Sequence, residues 1–194
     1  MYNSLSMAML AVQELRNGMT FLMDGQLYIT LKYEHIKMGR GSATIKIKAK
    51  NLLTGATTDK SFINSARVEE TITVRRPMQY LYKDGKNYIF MDPKNYEQAE
   101  ISAHVAAENG VYLKENVLVN ILFWEDRALW IELPPKMEFM VAETDPGIKG
   151  NSAANMYKKA LLDNGMSVRV PLFINEGEKI MVDTRDGSYA ERVK

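Results

Sequence analysis

One arginine, Arg40, stands between two glycines in a segment that the flanking sequence places at the tip of a β-hairpin. The residues before the segment, 27–33, and those after it, 44–50, both have the composition of strands. Glycine on each side leaves the tip backbone too permissive to bury a side chain. A long cation at an exposed tip suits a polyanion better than a small metabolite, because charge attraction requires no enclosed pocket.

The strand after the tip adds further positive charge. Apolar residues alternate there with lysines, in the order Ile45, Lys46, Ile47, Lys48, Ala49 and Lys50. The period of two places the three lysines on one face of the strand. Residues 32–50 carry six basic side chains and one acidic side chain, although the whole chain has a net charge of only +1. We expect Lys46 and Lys48 to contact phosphate groups of a polyanion, and the alternative is a solvated hairpin with ordinary surface lysines.

Composition places the chain among globular proteins. Its 194 residues are 46% hydrophobic and 25% charged. The absence of cysteine excludes disulfides and thiol chemistry, and no apolar run approaches the roughly 20 residues that a membrane helix needs. We expect a cytoplasmic protein that contacts no membrane, with residues 1–8 as a disordered extension.

Residues that could catalyse a reaction are few. His35 and His104 lie far apart in sequence, and neither belongs to a metal-ligand pattern. The sequence contains no phosphate-binding loop, no nucleophile elbow and no dinucleotide fingerprint. No set of nucleophile, base and orienting group can be assembled, so the sequence predicts a protein that is not an enzyme and holds no metal.

Strand and turn signals dominate the rest of the chain. The turns Asp24-Gly25, Asp84-Gly85 and Glu125-Asp126-Arg127 each separate two apolar runs and predict three hairpins. One short helix is predicted over residues 102–108. Many short strands with regular turns favour an all-β fold of small barrels or sandwiches. A change in composition at residues 65–71 and the pair Pro134-Pro135 divide the chain into three predicted domains: 9–70, 71–133 and 134–194.

An ordered series of motifs runs through the C-terminal part of the chain. Its members are Lys158-Lys159-Ala160, Gly165, Val168-Arg169-Val170-Pro171, Gly177-Glu178, Asp183-Thr184-Arg185, Tyr189 and Arg192. This series resembles the C-terminal signature of bacterial translation elongation factor P. Other segments agree with that family from about residue 9 onward: Asn51-Leu52-Leu53-Thr54-Gly55, Tyr80-Leu81-Tyr82-Lys83-Asp84-Gly85, Phe90-Met91-Asp92 and Thr144-Asp145-Pro146-Gly147-Ile148-Lys149-Gly150.

The resemblance implies an elongated, bent arrangement of three β-barrels, in which an SH3-like (KOW-type) domain precedes two OB-folds. It implies a monomeric elongation factor that binds the 70S ribosome, ribosomal RNA and the peptidyl-tRNA, between the P and E sites. Such a factor promotes peptide-bond formation on polyproline-stalled ribosomes by positioning the tRNA acceptor end. The ribosome performs the chemistry, and no cofactor is implied.

By the same resemblance, Arg40 occupies the tip position that contacts the tRNA acceptor end. Many relatives have lysine there, and arginine excludes their lysine-directed modification. A sugar such as rhamnose, attached by an arginine-modifying enzyme, is the candidate modification of Arg40. The tip is supported by four neighbours: Lys37, Met38, Gly39 and Gly41. Candidate contacts of the third domain with the small subunit, mRNA or tRNA are Gly147, Gly150, Asn151, Tyr189 and Arg192.

Two other interpretations stay open. One is the elongation factor P-like paralogue, which also carries arginine at the tip and uses the same site. The other is an OB-fold protein that binds single-stranded RNA away from the ribosome. That function needs exposed aromatic platforms, whereas the strand aromatics Tyr80, Tyr82 and Tyr88 lie in apolar runs and are expected to be buried.

Overall fold

The computed structural model describes residues 8–36, 44–63, 65–146 and 157–193. These residues form three antiparallel sheets that follow one another along the chain, so the all-β prediction is confirmed. The first sheet has six strands in the order β1-β6-β2-β3-β4-β5. Its strands are β1 (Met9–Ala11), β2 (Thr20–Met23), β3 (Gln26–Ile36), β4 (Thr44–Asn51), β5 (Thr57–Ile63) and β6 (Arg67–Glu70).

The first barrel is organised around a long hairpin. The turn Asp24-Gly25 joins β2 to β3 as predicted, and both turn residues have positive φ, 53° and 70°. Strand β3 then pairs with β4 from Tyr28 opposite Asn51 to Ile36 opposite Thr44. A register shift in β3 between Thr30 and Lys32 interrupts this ladder and bends the strand. Beyond this shift the ladder of this β3–β4 arm continues to Ile36 and Thr44, and β5 pairs along the other side of β4 as far as Ile63 opposite Thr44.

The second barrel contains both remaining hairpins of the prediction and its single helix. Its sheet order is β11-β10-β7-β8-β9. Its elements are β7 (Val74–Lys83), β8 (Asn87–Met91), β9 (Gln98–Ser102), α1 (Ala103–Gly110), β10 (Leu118–Trp124) and β11 (Arg127–Glu132). Strands β7 and β8 flank Asp84-Gly85, and β10 and β11 flank Glu125-Asp126. The predicted helix is thus confirmed within two residues at each end.

The aromatic side chains of the second barrel are not all buried. Tyr80 and Tyr88 are 8% and 7% exposed, as expected, and their rings lie 5.9 Å apart. Tyr82 is 50% exposed, so the expectation that it is buried was wrong. A register shift between Tyr80 and Tyr82 breaks the simple alternation on which that expectation rested.

The third barrel has five strands in the order β14-β13-β12-β15-β16. They are β12 (Lys136–Thr144), β13 (Tyr157–Leu162), β14 (Ser167–Pro171), β15 (Lys179–Asp183) and β16 (Tyr189–Arg192). The sheet closes around an apolar core in which Phe139, Val141, Val170, Ile180 and Val182 are fully buried. Strands β13 and β16 were not predicted from the sequence.

The first and second barrels share one apolar core. Leu22, Leu27, Ile29 and Leu52 of the first barrel belong to the same buried cluster as the interior of the second barrel. Helix α1 lies at this junction, because a side-chain Cβ added at Gly55 would lie 3.0 Å from the imidazole of His104. Apolar burial of this extent holds the two barrels against each other.

Lys50 is the charged residue of this junction. The sequence placed it on the solvated face with Lys46 and Lys48, and that placement was wrong. Its side chain is only 3% exposed; the ammonium contacts Glu108 of α1 at 3.1 Å and lies 5.1 Å from the centre of the Trp130 ring. The strand leaves the outer surface before Lys50, where the second barrel covers it.

The second and third barrels meet through a smaller contact. Tyr112, which follows α1, is buried in the core cluster of the third barrel. Lys114 contacts Asp163 at 2.7 Å and lies over the Phe139 ring, and Asn164 donates a hydrogen bond to the Val111 carbonyl at 2.8 Å. Burial raises the pKa of the Tyr112 phenol, and the nearby Asp186 and Asp183 raise it further.

Because Lys50 is buried, the free energy of unfolding should depend strongly on the size of the side chain at this position. Lys50→Ala should lower the free energy of unfolding by about 2–4 kcal/mol, because it empties a packed site between two barrels. Lys50→Met keeps most of the volume and should cost less than about 1.5 kcal/mol. Urea unfolding followed by circular dichroism measures both changes.

Lys46→Ala is the matched control, since it removes the same side chain from an exposed position of the same strand. It should change stability by less than about 0.5 kcal/mol. Equal decreases in stability for Lys50→Ala and Lys46→Ala would contradict the packed role of Lys50.

Candidate RNA interface

Lys46 and Lys48 occupy the solvent face of the β3–β4 arm. Both side chains are exposed, while Ile45, Ile47 and Ala49 between and beside them are buried in the core of the first barrel. The alternation predicted for these five residues is therefore confirmed. In the part of the chain that the structure describes, neither lysine forms a salt bridge, so both ammonium groups are available to a polyanion.

Neighbouring strands place acidic groups beside these lysines. Lys46 lies opposite Glu34 in β3, and Lys48 lies opposite Asp59 in β5. Glu34 is itself held by Lys32 at 2.5 Å, and this hydrogen bond lowers the pKa of the Glu34 carboxyl and raises the pKa of Lys32. The arm therefore carries positive charge, but less than its own sequence indicates, because the sequence count did not include Asp59 across the strand pair.

Several predicted site residues lie outside the described residues. They are the tip residues Lys37, Met38, Gly39, Arg40 and Gly41, and the third-domain residues Gly147, Gly150 and Asn151. What the structure describes is the support on each side of the tip. Ile36 and Thr44 pair as the last described residues of the two strands, and Ile63 of β5 lies beside Thr44 with 64% of its surface exposed.

Tyr189 and Arg192 lie in the last strand of the third barrel. Tyr189 packs partly against the core of that barrel, and burial raises the pKa of its phenol. Arg192 is half exposed, and its guanidinium contacts Glu178 at 3.2 Å. Both side chains are partly accessible. Tyr189 and Arg192 belong to the third barrel and Lys46 and Lys48 to the first, so the two pairs do not lie in the same sheet.

The motif Asp183-Thr184-Arg185 holds the turn before that strand. The Arg185 guanidinium and backbone amide both donate to the Asp183 carboxylate. Thr184 donates from its hydroxyl to the Pro134 carbonyl at 2.7 Å and from its amide to the Pro135 carbonyl at 3.0 Å. The motif thus ties the entry of the third barrel to the turn that precedes Tyr189 and Arg192.

A cleft of about 850 Å³ opens on the second barrel, between β9 and β11. The salt bridge between Arg76 and Asp126 lies at this cleft, and neither histidine lines it.

Within residues 8–36, 44–63, 65–146 and 157–193, no group of three or more His, Asp or Glu side chains could hold a metal ion. Among the helices of the same described residues, none has the length and hydropathy to cross a membrane.

Family models match this arrangement in three consecutive segments. Residues 11–68 match the elongation factor P KOW-like domain, residues 73–131 match the elongation factor P OB domain, and residues 137–192 match the elongation factor P C-terminal domain. Each segment coincides with one of the three sheets. A KOW-like barrel followed by OB-type barrels, with a lysine-bearing arm, defines a class of translation factors.

Individual relatives agree. Elongation factor P of Clostridium botulinum (strain Hall) is 43% identical over 185 residues, covering 95% of this chain and 100% of the relative. Elongation factor P of Clostridium kluyveri shows the same identity and coverage. The chain therefore belongs to the elongation factor P family and is a translation elongation factor.

A solved structure gives a looser match. It is eukaryotic translation initiation factor 5A from Methanococcus jannaschii, with 22% identity over 64% of this chain and 91% of that chain, and a TM-score of 0.44. This likeness carries no argument about function.

The Asp183–Arg185 pairing predicts a dependence of stability on pH. The guanidinium hydrogen bond, with the Arg185 backbone amide, holds the pKa of the Asp183 carboxyl well below its usual range. A carboxyl whose pKa is depressed in the folded state stabilises the fold above its unfolded pKa of about 3.9, and that stabilisation is lost as pH falls further. Asp183→Asn should therefore flatten the fall in stability below about pH 4.

Arg185→Gln should flatten the same acid limb, because it removes the main cause of the shift. Thermal unfolding of both variants and the wild type between pH 2 and pH 7 would measure this, at about half-unit steps. Curves that stay parallel to the wild type across the whole range would rule out the pairing as the source.

Proposed function

We propose that the protein binds the 70S ribosome beside the peptidyl-tRNA, between the P and E sites, and relieves stalling on consecutive prolines. The observation that carries this proposal is the β3–β4 arm, whose strands pair up to Ile36 and Thr44 and whose exposed lysines face outward. Membership of the elongation factor P family supports the placement on the ribosome.

The physical role of the tip is to position a substrate that the ribosome converts. Peptide-bond formation is slow when the prolyl ester and the nascent chain are poorly oriented. A guanidinium held against the tRNA acceptor end restrains that end, so the attacking amine meets a near-attack geometry more often. Arg40 presents a planar, permanently charged fork that can pair with phosphate through two hydrogen bonds. The factor itself supplies no nucleophile and no base, so it acts without being an enzyme.

The structure supports this role by giving the arm a rigid base. The first barrel shares its core with the second, and the buried Lys50 lies at their junction at the far end of β4 from the tip. A contact at the tip can restrain the tRNA only if the barrel behind it does not rotate freely. We propose that Lys46 and Lys48 contact RNA phosphate along the arm and that Tyr189 and Arg192 contact tRNA or the small subunit from the third barrel.

The proposed partners are the 70S ribosome, ribosomal RNA and P-site peptidyl-tRNA, met by a monomeric cytoplasmic protein. An elongation factor P-like paralogue would share this site. RNA binding by the OB-folds away from the ribosome is a second candidate, and exposed Tyr82 in β7 is the observation that favours it.

Arg40→Ala should abolish the acceleration of a triple-proline reporter in a reconstituted translation reaction, while the unfolding temperature stays within about 2 °C of the wild type. The reason is that a residue flanked by glycines contributes little packing. Arg67→Ala is the matched control, because Arg67 is an exposed arginine of the same barrel outside the arm. Wild-type acceleration by Arg40→Ala would refute the role of the tip.

We propose further that Arg40 is a site of modification, with a sugar such as rhamnose, attached by an arginine-modifying enzyme, as the candidate. An unmodified guanidinium would still pair with phosphate through two hydrogen bonds. Intact-mass spectrometry of the protein purified from its own cells tests the modification. A mass increment localised to Arg40 by fragmentation would assign it, and the mass of the unmodified chain would refute it.

A further inference from the structure

We infer that the outer face of strands β13 and β14 binds the phosphate backbone of RNA through Lys159 and Arg169. This surface belongs to the third barrel and is separate from Tyr189, Arg192 and the β3–β4 arm. The inference rests on the proposed function, because the RNA concerned is that of the ribosomal complex.

The register of the two strands brings the cations together. Lys159 in β13 lies directly opposite Arg169 in β14, and both side chains are exposed. Strand β13 alternates strictly, so Tyr157, Lys159 and Leu161 share the outer face while Lys158, Ala160 and Leu162 are buried. The sequence indicated Lys159 and Arg169 only as family motifs, since strand register cannot be read from two separate segments.

Two like charges directly opposite each other in a sheet repel and destabilise the pair. In the described part of the chain neither Lys159 nor Arg169 forms a salt bridge that would offset this repulsion. Glu143 of β12 lies opposite Leu161, the residue two positions after Lys159 on the same face, and it pairs with neither cation. Within the described residues, the fold therefore supplies no ion-pair partner for Lys159 or Arg169.

Most of the other described cations of this barrel form ion pairs. Lys136 contacts Glu191, Lys179 contacts Glu138, Arg185 contacts Asp183, and Arg192 contacts Glu178. Lys158, on the buried face, donates to the Asp145 carbonyl at 2.8 Å. Among the described residues of the barrel, ion pairing is thus the common state of a cation, and Lys159 and Arg169 depart from it together.

Protection of a sheet edge does not account for the pair. Cations on an edge strand discourage pairing with another chain, and β14 is such an edge. Lys159, however, lies in β13, an inner strand of the sheet, which pairs with β14 from Tyr157 to Leu161 and with β12 from Ala160 to Leu162. Tyr157 on the same face is 52% exposed and offers a ring on which a base can stack. Paired cations beside an exposed aromatic ring match RNA better than an apolar protein partner.

The test is the salt dependence of binding to 70S ribosomes that carry peptidyl-tRNA in the P site. We expect the double variant Lys159→Gln/Arg169→Gln to bind about tenfold more weakly at low salt. The slope of log K against log salt should become shallower by about 1 for each phosphate that the variant no longer neutralises. The unfolding temperature should stay the same or rise by a few degrees, because a repulsion has been removed.

The matched control is Lys136→Gln/Lys179→Gln, which removes the same two charges from the same barrel at positions already paired with carboxylates. It should keep the wild-type slope. Lys159→Arg/Arg169→Lys should also keep it, because both charges remain.

The outcomes separate this inference from the proposed function. If the wild type binds ribosomes and the Lys159→Gln/Arg169→Gln variant keeps the wild-type slope, only the present inference is overturned. A lowered unfolding temperature for that variant would also overturn it, because the pair would then stabilise the fold. If the wild type does not bind ribosomes at all, the proposed function itself fails.

Discussion

Burial of apolar surface between the first and second barrels is the constraint on which the rest of the structure depends. Leu22, Leu27, Ile29 and Leu52 complete a core that belongs mostly to the second barrel, and Lys50 closes it with a contact to Glu108 and to the Trp130 ring. The β3–β4 arm is continuous with this junction, because Lys50 and the exposed Lys46 lie in one strand. A force on the end of the arm is therefore resisted by packing between two barrels and not only by the hairpin itself.

The pairing of charged side chains says more about where this protein could bind RNA than its net charge does. The net charge is only +1, and many of the cations that the structure describes are matched to a nearby carboxylate. Such pairs at the surface contribute little to stability and little to the outward field. Among the described residues, Lys46 and Lys48 on the arm and Lys159 and Arg169 on the third barrel form no salt bridge, so a phosphate backbone could meet them at small desolvation cost.

Local signals predicted local structure well. Asp24-Gly25, Asp84-Gly85 and Glu125-Asp126 form hairpin turns because residues with positive φ are needed there and the sequence supplies Gly, Asp and Glu between apolar runs. Strands such as β5, β9 and β16 were not predicted, since their side chains are largely exposed and their alternation is weak. The expectation for Tyr82 was wrong for a related reason, because a register shift changes which residues face the core and leaves no mark in composition.

The sequence by itself determined the β class, the three turns, the alternation along β4 and, through ordered motifs, the family. These features depend on residues close together in the chain, where backbone preference and period of two act directly. Only the tertiary structure decided that Lys50 is buried, that Asp59 reduces the charge of the arm, and that Lys159 faces Arg169. Each of these depends on which strand or barrel lies alongside, and that choice is made by the burial of apolar surface across the whole molecule, not by any short segment.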